Sequence, residues 1–155
     1  MRISVECNTD KYFLDSLLKY GERQDILVLH QRGKSGVLEW LKKNPDGIGM
    51  IDEDPEAIQH PYEKDFEKVD NCLNFKLYEE KGEGHRKLII VSPILEIALL
   101  DISRSNGIDM NEYGMVSEVG ILHGINPYRN LDYQRFLDKL IETSSELSKV
   151  RDWLV

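Results

Sequence analysis

Three carboxylates directly follow apolar segments of strand length. Glu6 follows Ile3-Ser4-Val5, and Asp52 and Asp54 end or follow the segment Ile48-Gly49-Met50-Ile51. Because Asp52 and Asp54 are two positions apart, their side chains point the same way if the segment is extended. Their hard oxygen atoms suit Mg²⁺ or Mn²⁺ better than zinc. A cation held there with open coordination positions orients and polarises a phosphate group.

A solvated acidic turn is the alternative interpretation of the same residues. The stretch from Asp52 to Lys68 holds seven carboxylates and two lysines, a net charge of −5. Such a concentration of charge suits a cation site, and it is equally typical of a charged loop in water. The position after an apolar strand favours the site, since ligands of parallel α/β sheets collect at the carboxyl ends of strands. Both interpretations stay open at this point.

The first 55 residues alternate between strand and helix patterns. Apolar residues at three- and four-residue steps predict helices over residues 12–18 and 37–43. The apolar run Asp25–His30 predicts a parallel strand that is covered on both faces. The order strand, helix, strand, helix, strand favours a parallel α/β sheet. If its first and third strands are neighbours, the three carboxylates lie on one edge.

The rest of the chain continues the α/β pattern and then loses it. The predicted elements are a strand over 73–80, a glycine turn at 82–84, a strand over 86–92, a helix over Pro93–Ser103, loops with a short helix near 118–122, and one amphipathic helix from Leu131. We expect a single domain over residues 1–155, with its core at about 3–103 and C-terminal loops and a helix over 104–155.

Composition excludes several classes of protein. With 41% hydrophobic and 31% charged residues, the chain is typical of a soluble globule and not of a fibrous or disordered protein. It has no apolar run of membrane-spanning length and no signal-peptide pattern at its start, so we expect a cytoplasmic protein without a membrane span. The two cysteines, Cys7 and Cys72, are expected to be reduced thiols. The four histidines have no ligand-like spacing and are assigned surface or satisfied roles.

Two segments taken together resemble a known family. The segment Val5–Asp10 resembles the Glu-Gly-x-x-Asp start of Toprim domains, the metal-binding modules of topoisomerases, bacterial primases and nucleases of the overcoming-lysogenization-defect type. The segment Ile48–Pro55 resembles the apolar strand of that family that ends in Asp-x-Asp. Val91–Leu100 looks like the strand and helix that follow in stand-alone and defence-associated Toprim proteins. The resemblance covers roughly residues 3 to 100.

The resemblance implies a fold and a role for each acid. It implies a Rossmann-like three-layer sandwich with a parallel sheet. Glu6 would act as general base or acid or support a second metal, and Asp52 and Asp54 would ligate Mg²⁺ or Mn²⁺. Glu96 would be a further metal ligand, and Asp10, which matches the aspartate of the first motif, is placed with substrate binding.

One residue departs from the family pattern and one lysine adds to it. Cys7 stands where the family has glycine, which narrows the approach of a phosphate to Glu6. Gly33-Lys34-Ser35 is similar to the end of a phosphate-binding loop, but the upstream glycine is replaced by Val28, so an ATP site is rejected. Lys34, at a predicted helix start on the same edge, remains a candidate for binding a nucleic-acid phosphate.

Three functions are compatible with these residues. The first is Mg²⁺- or Mn²⁺-dependent phosphotransfer on nucleic acid, as a nuclease or nuclease subunit of a defence or repair system. The formal charge of −8 opposes binding of nucleic acid by this chain alone, so a homodimer or a partner ATPase would have to supply basic surface. The second is a non-catalytic Toprim-like interaction subunit that binds a partner through the apolar stripe of its last helix. The third is a small-molecule phosphohydrolase. A haloacid-dehalogenase site fits poorly, because Asp-Glu-Asp follows the third strand here.

Overall fold

A six-stranded sheet organises the chain, of which the computed structural model describes all residues, 1–155. The strand order is β2-β1-β3-β6-β5-β4. The strands are β1 (Arg2–Val5), β2 (Leu27–His30), β3 (Ile48–Asp52), β4 (Phe66–Cys72), β5 (Phe75–Glu80) and β6 (Lys87–Val91). The strands β1, β2, β3 and β6 pair with one another in parallel. Strand β5 pairs antiparallel with both of its neighbours, β6 and β4. The architecture is therefore α/β with a mixed, mostly parallel sheet.

Helices cover both faces of this sheet, but unequally. They are α1 (Asn8–Tyr20), α2 (Gly33–Lys42), α3 (Leu95–Ser105), α4 (Val119–His123), α5 (Leu131–Thr143) and α6 (Ser145–Trp153), with short 3₁₀ turns at Pro61–Asp65 and Met110–Tyr113. The helices α1, α3, α4, α5 and α6 contribute to a core of 31 buried hydrophobic residues on one face, whereas α2 and the first 3₁₀ turn close a core of 8 on the other. The arrangement is compatible with a Rossmann-like sandwich.

The alternation of side chains along the strands separates the two cores. Val5 of β1 and Met50 of β3 belong to the larger core, whereas Ile51 belongs to the smaller one. Gly49 faces the smaller core, where an added Cβ would lie 3.0 Å from Cγ1 of Val37. A larger residue at position 49 would therefore push α2 away from the sheet.

The strands that carry the sequence-predicted acids are direct neighbours. Strand β1 pairs with β3 in parallel, with Ile3 opposite Ile48 and Val5 opposite Met50. On its other side β3 pairs with β6, where Asp52 lies opposite Val91. The expectation that the first and third strands are adjacent is confirmed, and the carboxyl ends of β1, β3 and β6 lie side by side.

The outer strands differ from the sequence prediction. The segment 66–72, to which the sequence analysis assigned no element, forms β4 and pairs with β5 at the edge of the sheet. The predicted coverage of the second strand on both faces is wrong at Leu27, which is 54% exposed because β2 forms the opposite edge. Helix α3 begins at Leu95 instead of Pro93, because residues 92–94 form a turn whose Pro93 carbonyl accepts the Asp54 N–H.

The predicted single C-terminal helix is two helices. Ser144 ends α5 with an extended backbone, and its hydroxyl accepts the Leu147 N–H at 3.2 Å to cap α6. The apolar residues of both helices, except the exposed Leu131 at the start of α5, are buried in the larger core of this chain. The idea that an apolar stripe of the last helix binds a partner is therefore wrong, because that stripe already has its partner within the molecule.

We expect Ser144→Ala to lower the free energy of unfolding by about 1 kcal/mol, because the variant loses the side-chain acceptor at the start of α6. For a chain of this size the thermal midpoint should fall by roughly 2–4 °C, measured by circular dichroism. Ser145→Ala is the matched control, since Ser145 is exposed and makes no capping bond. An equal effect of both variants would contradict the capping role.

Candidate functional site

Glu6 joins the ends of β1 and β3. It directly follows β1 and is partly buried. Its Oε1 accepts a hydrogen bond from the backbone N–H of Asp52 at 2.7 Å. The Glu6 carboxylate is therefore fixed by the backbone of the strand that carries the second predicted acid.

Asp52 joins β3 to the start of α3. It is the last residue of its strand, and its Oδ1 accepts the backbone N–H of Leu95 at 3.1 Å. Leu95 is the first residue of α3, where backbone N–H groups have no partner within the helix and favour an anion. The two bonds form a chain from Glu6 through Asp52 to α3.

Asp10 lies buried in the first turn of α1. It is 5% exposed, and its Oδ2 accepts the Cys7 N–H at 3.1 Å while the Cys7 Sγ accepts the Asp10 N–H at 3.5 Å. This reciprocal pair caps the helix. The backbone at Cys7 is extended, with φ of −143°, so the position does not require the glycine of the Toprim motif. Burial raises the pKa of the Cys7 thiol to about 12, so the thiol is not a nucleophile at neutral pH.

Glu96 lies in the first turn of α3 and is 7% exposed. Its Oε1 is 3.0 Å from Nδ1 of His123, the last residue of α4, whose side chain is 77% exposed. Sequence analysis gave His123 no part in the site. The two residues are 27 positions apart and no motif connects them, so only the packing of α4 against α3 shows the contact.

The four acids Glu6, Asp10, Asp52 and Glu96 form one electrostatic unit, which we call the carboxylate cluster. Burial, followed by repulsion from the other three, raises the pKa of Asp52 to about 8. Burial also raises the pKa of Asp10 to about 6, with repulsion from Glu96 adding to it. The pKa of Glu6 is raised by burial and by the charges of Asp10 and Asp54. Burial and the charges of the neighbouring acids therefore oppose ionisation of this cluster.

Asp54 lies at the edge of this unit. Its backbone is left-handed, with φ of 41°, so the extended geometry predicted for Asp52 and Asp54 ends before Asp54. Its N–H donates to the Pro93 carbonyl at 3.1 Å, and its side chain is exposed. Together with Glu6 and Asp52, it lines an open cleft of about 480 Å³.

Lys34, in the first turn of α2, also lines this cleft. Its Nζ donates to the carbonyl of Glu53 at 2.8 Å, and the Glu53 carboxylate pairs with Lys76 at 3.2 Å. The charge of Lys34 lowers the pKa of Glu6, against the larger effect of burial. Lys34 therefore brings positive charge to the acids, and it does so at the uncapped start of a helix.

The side chains are not arranged as a finished metal site. No group of three or more His, Cys, Asp and Glu side chains has the geometry to hold a metal ion. Two reasons are visible: one oxygen each of Glu6 and Asp52 binds a backbone N–H, and Asp54 turns out of the extended segment. The other oxygens of Glu6 and Asp52 have no protein hydrogen bond and are available to a ligand.

Comparison with protein-family models, with curated proteins and with solved structures finds no match for this chain. None of its helices is both long enough and apolar enough to cross a lipid bilayer. The resemblance to Toprim domains therefore depends on the motifs around Glu6, Asp52 and Glu96 alone.

Proposed function

We propose that this chain is a Toprim-like domain that binds Mg²⁺ or Mn²⁺ and cleaves phosphodiester bonds in nucleic acid, as a nuclease or as the catalytic subunit of one. The observation that carries the proposal is the carboxylate cluster at the carboxyl ends of β1 and β3, where the pKa of Asp52 is raised to about 8. Acids whose ionisation is opposed by burial and by one another's charge are expected to bind a cation, which favours their ionised forms.

The open cleft suits a divalent ion that keeps water ligands better than an ion coordinated entirely by protein side chains. Mg²⁺ keeps several waters in proteins and is held by one or two carboxylates plus phosphate oxygens of the substrate. Asp52 and Asp54 line the open cleft together with Glu6 and would hold the ion, and Glu96 would support them within the carboxylate cluster. The missing cage of three side chains is compatible with such a site, since water and substrate supply the remaining ligands.

Glu6, Lys34 and Asp10 each have a role in this proposal. A bound divalent ion would supply Lewis acidity at a phosphate oxygen. Glu6, whose pKa is raised, would take the proton of the attacking water or return one to the leaving oxygen. Lys34 and the uncapped first turn of α2, which line the same cleft, would bind the phosphate. Asp10 was expected to bind substrate. Because it is buried, it would instead act on the other acids of the cluster and would not touch the substrate.

The acidic surface limits how this domain binds nucleic acid. The formal charge is −8, and nucleic acid is bound mainly through basic contacts to phosphates. A homodimer or a partner such as an ATPase would supply that basic surface. Cleavage by the isolated chain should therefore need high protein concentration and should weaken steeply as salt is raised.

The decisive experiment combines calorimetry with cleavage. Mn²⁺ and Mg²⁺ are titrated into wild type, the double variant Asp52→Asn/Asp54→Asn and the control Asp152→Asn, whose side chain is exposed on α6. The same proteins are assayed on single- and double-stranded DNA and RNA. We expect wild type and control to bind the ion and to cleave, and the double variant to lose both. Cleavage by the double variant, or no ion binding by wild type, would refute the proposal.

A second function has a specific observation in its favour. The formal charge of −8, which opposes binding of nucleic acid by this chain alone, suits a metal-binding subunit that does not cleave by itself. Ion binding by wild type that is lost in the double variant, without cleavage of any substrate, would support this interaction subunit.

A further inference from the structure

A buried hydroxyl on α5 has no protein partner. Tyr133 is 2% exposed, and its Oη makes no hydrogen bond to any other residue. Buried hydroxyl groups in native proteins almost always bind another polar atom or an ordered water, since an unpaired one is costly. The Tyr133 hydroxyl is therefore expected to bind a water molecule or another polar group that is not part of the protein.

Tyr133 lies on a helix that packs against the two helices carrying Asp10 and Glu96. Helix α5 packs against α1 and α3, whose first turns carry Asp10 and Glu96. The Tyr133 ring lies 6.3 Å from the ring of Tyr12 on α1. After burial, the charges of Glu96 and Asp10 are the largest influences that raise the Tyr133 pKa, so the phenol stays protonated. Tyr133 is thus close enough to the two most deeply buried acids of the cluster to be influenced by their charges, and it does not line the cleft.

Each of these two acids has one oxygen to spare. Asp10 uses Oδ2 for the Cys7 N–H, and Glu96 uses Oε1 for His123. Neither Oδ1 of Asp10 nor Oε2 of Glu96 has a hydrogen bond in the protein. A water molecule could satisfy all three groups. It can accept a hydrogen bond from the Tyr133 hydroxyl and donate one hydrogen bond to each carboxylate.

We propose that Tyr133 is a positioning residue of the candidate site, whose hydroxyl donates to a water molecule that in turn donates to Asp10 and Glu96. This bridge fixes the inner half of the carboxylate cluster and makes α5 part of the site, although it follows the segment that resembles Toprim domains. The water is either a structural water of the metal-free protein or a water of the cation's hydration shell. The second case rests on the proposed function, whereas the first does not.

The experiment uses Tyr133→Phe, which removes only the oxygen, and Tyr113→Phe as its matched control. Tyr113 ends the second 3₁₀ turn and packs against Phe136, which lies on α5 like Tyr133. Crystal structures are determined for all three proteins without metal and with Mn²⁺, and Mn²⁺ affinity and thermal midpoints are measured in parallel. In wild type we expect density at hydrogen-bond distance from Tyr133 Oη that also contacts Asp10 and Glu96.

The variants separate the possible outcomes. We expect Tyr133→Phe to lose the density, to lower the metal-free midpoint and to weaken Mn²⁺ binding about tenfold, and Tyr113→Phe to change Mn²⁺ affinity less than twofold. Density only with Mn²⁺ assigns the water to the ion, and density without it assigns a structural water; both support the bridge. If wild type binds no Mn²⁺, the metal-free crystals still test the bridge while the proposed function fails. No density in either crystal, with a midpoint of Tyr133→Phe equal to or above wild type, would overturn the inference.

Discussion

Between pH 6 and pH 8, the metal-free protein is expected to lose roughly 2 kcal/mol of folding free energy through Asp52 alone. The pKa of Asp52 is raised from 3.8 to about 8, so over this range the unfolded chain has lost the proton that the folded chain still holds. The folded state binds more protons, and stability therefore falls as pH rises. The thermal midpoint should decrease by roughly 4–8 °C, measured by scanning calorimetry.

Asp52→Asn tests the origin of this loss. Asparagine has no charge, but its carbonyl oxygen can still accept the Leu95 N–H, so the link between β3 and α3 is retained. We expect the midpoint of this variant to change much less between the two pH values, and to exceed that of wild type at pH 8. Asp152→Asn removes one exposed charge and should follow wild type. If Asp52→Asn and wild type lose stability equally, Asp52 is not the group that titrates.

The same linkage predicts how a cation acts. A divalent ion binds the deprotonated carboxylates, so it releases protons and stabilises the folded state more at high pH. Mn²⁺ should therefore recover most of the midpoint lost at pH 8 in wild type and little in Asp52→Asn. An equal shift at pH 6 and pH 8 would indicate binding elsewhere on the acidic surface.

The second large effect is expected for Glu6→Gln, which should lower metal-dependent cleavage at least about 100-fold. Glutamine keeps an oxygen that accepts the Asp52 N–H, so the ends of β1 and β3 stay joined. What it loses is the negative charge and the capacity to take a proton. The measurement is the single-turnover cleavage rate at saturating Mn²⁺, which separates chemistry from binding.

Two further variants show whether the charge or the link is responsible. Glu83→Gln makes the same chemical change in the exposed turn between β5 and β6 and should cleave like wild type. Glu6→Ala removes both the charge and the acceptor, so it should lose cleavage and also lower the thermal midpoint. A normal cleavage rate of Glu6→Gln would leave Glu6 with only the structural role of joining β1 to β3.

The local patterns of the sequence predicted the part of the site that lies on strands. Glu6 and Asp52 could be placed on one edge because strand length and helix periodicity are local properties, and the pairing of β1 with β3 confirmed their proximity. The hairpin turn at 82–84 was equally readable from its glycines. The contacts of Glu96 with His123, and the approach of Tyr133, depend on how α4 and α5 pack on α3, which no local pattern encodes.

Some errors had signals that were available. Thr143-Ser144-Ser145 interrupts the last amphipathic pattern, and a serine with the side-chain acceptor of a helix start indicates a break. Strand β4 was hidden because charged residues dominate it, which is common for a strand at the edge of a sheet. The sequence therefore indicated no element there, where pairing with β5 determines the structure.

The unequal covering of the two sheet faces gives the walls of the cleft different resistance to local unfolding. The acids are anchored on β1, β3, α1 and α3, which share the core of 31 residues, whereas Lys34 belongs to α2, which closes a core of only 8. Segments that bury fewer apolar side chains open at lower free energy. Helix α2 is therefore expected to separate from the sheet more readily than the elements that carry the acids. On the proposed function, the phosphate would be bound by the less stable part of the cleft, so substrates of different width could enter without disturbing the carboxylates.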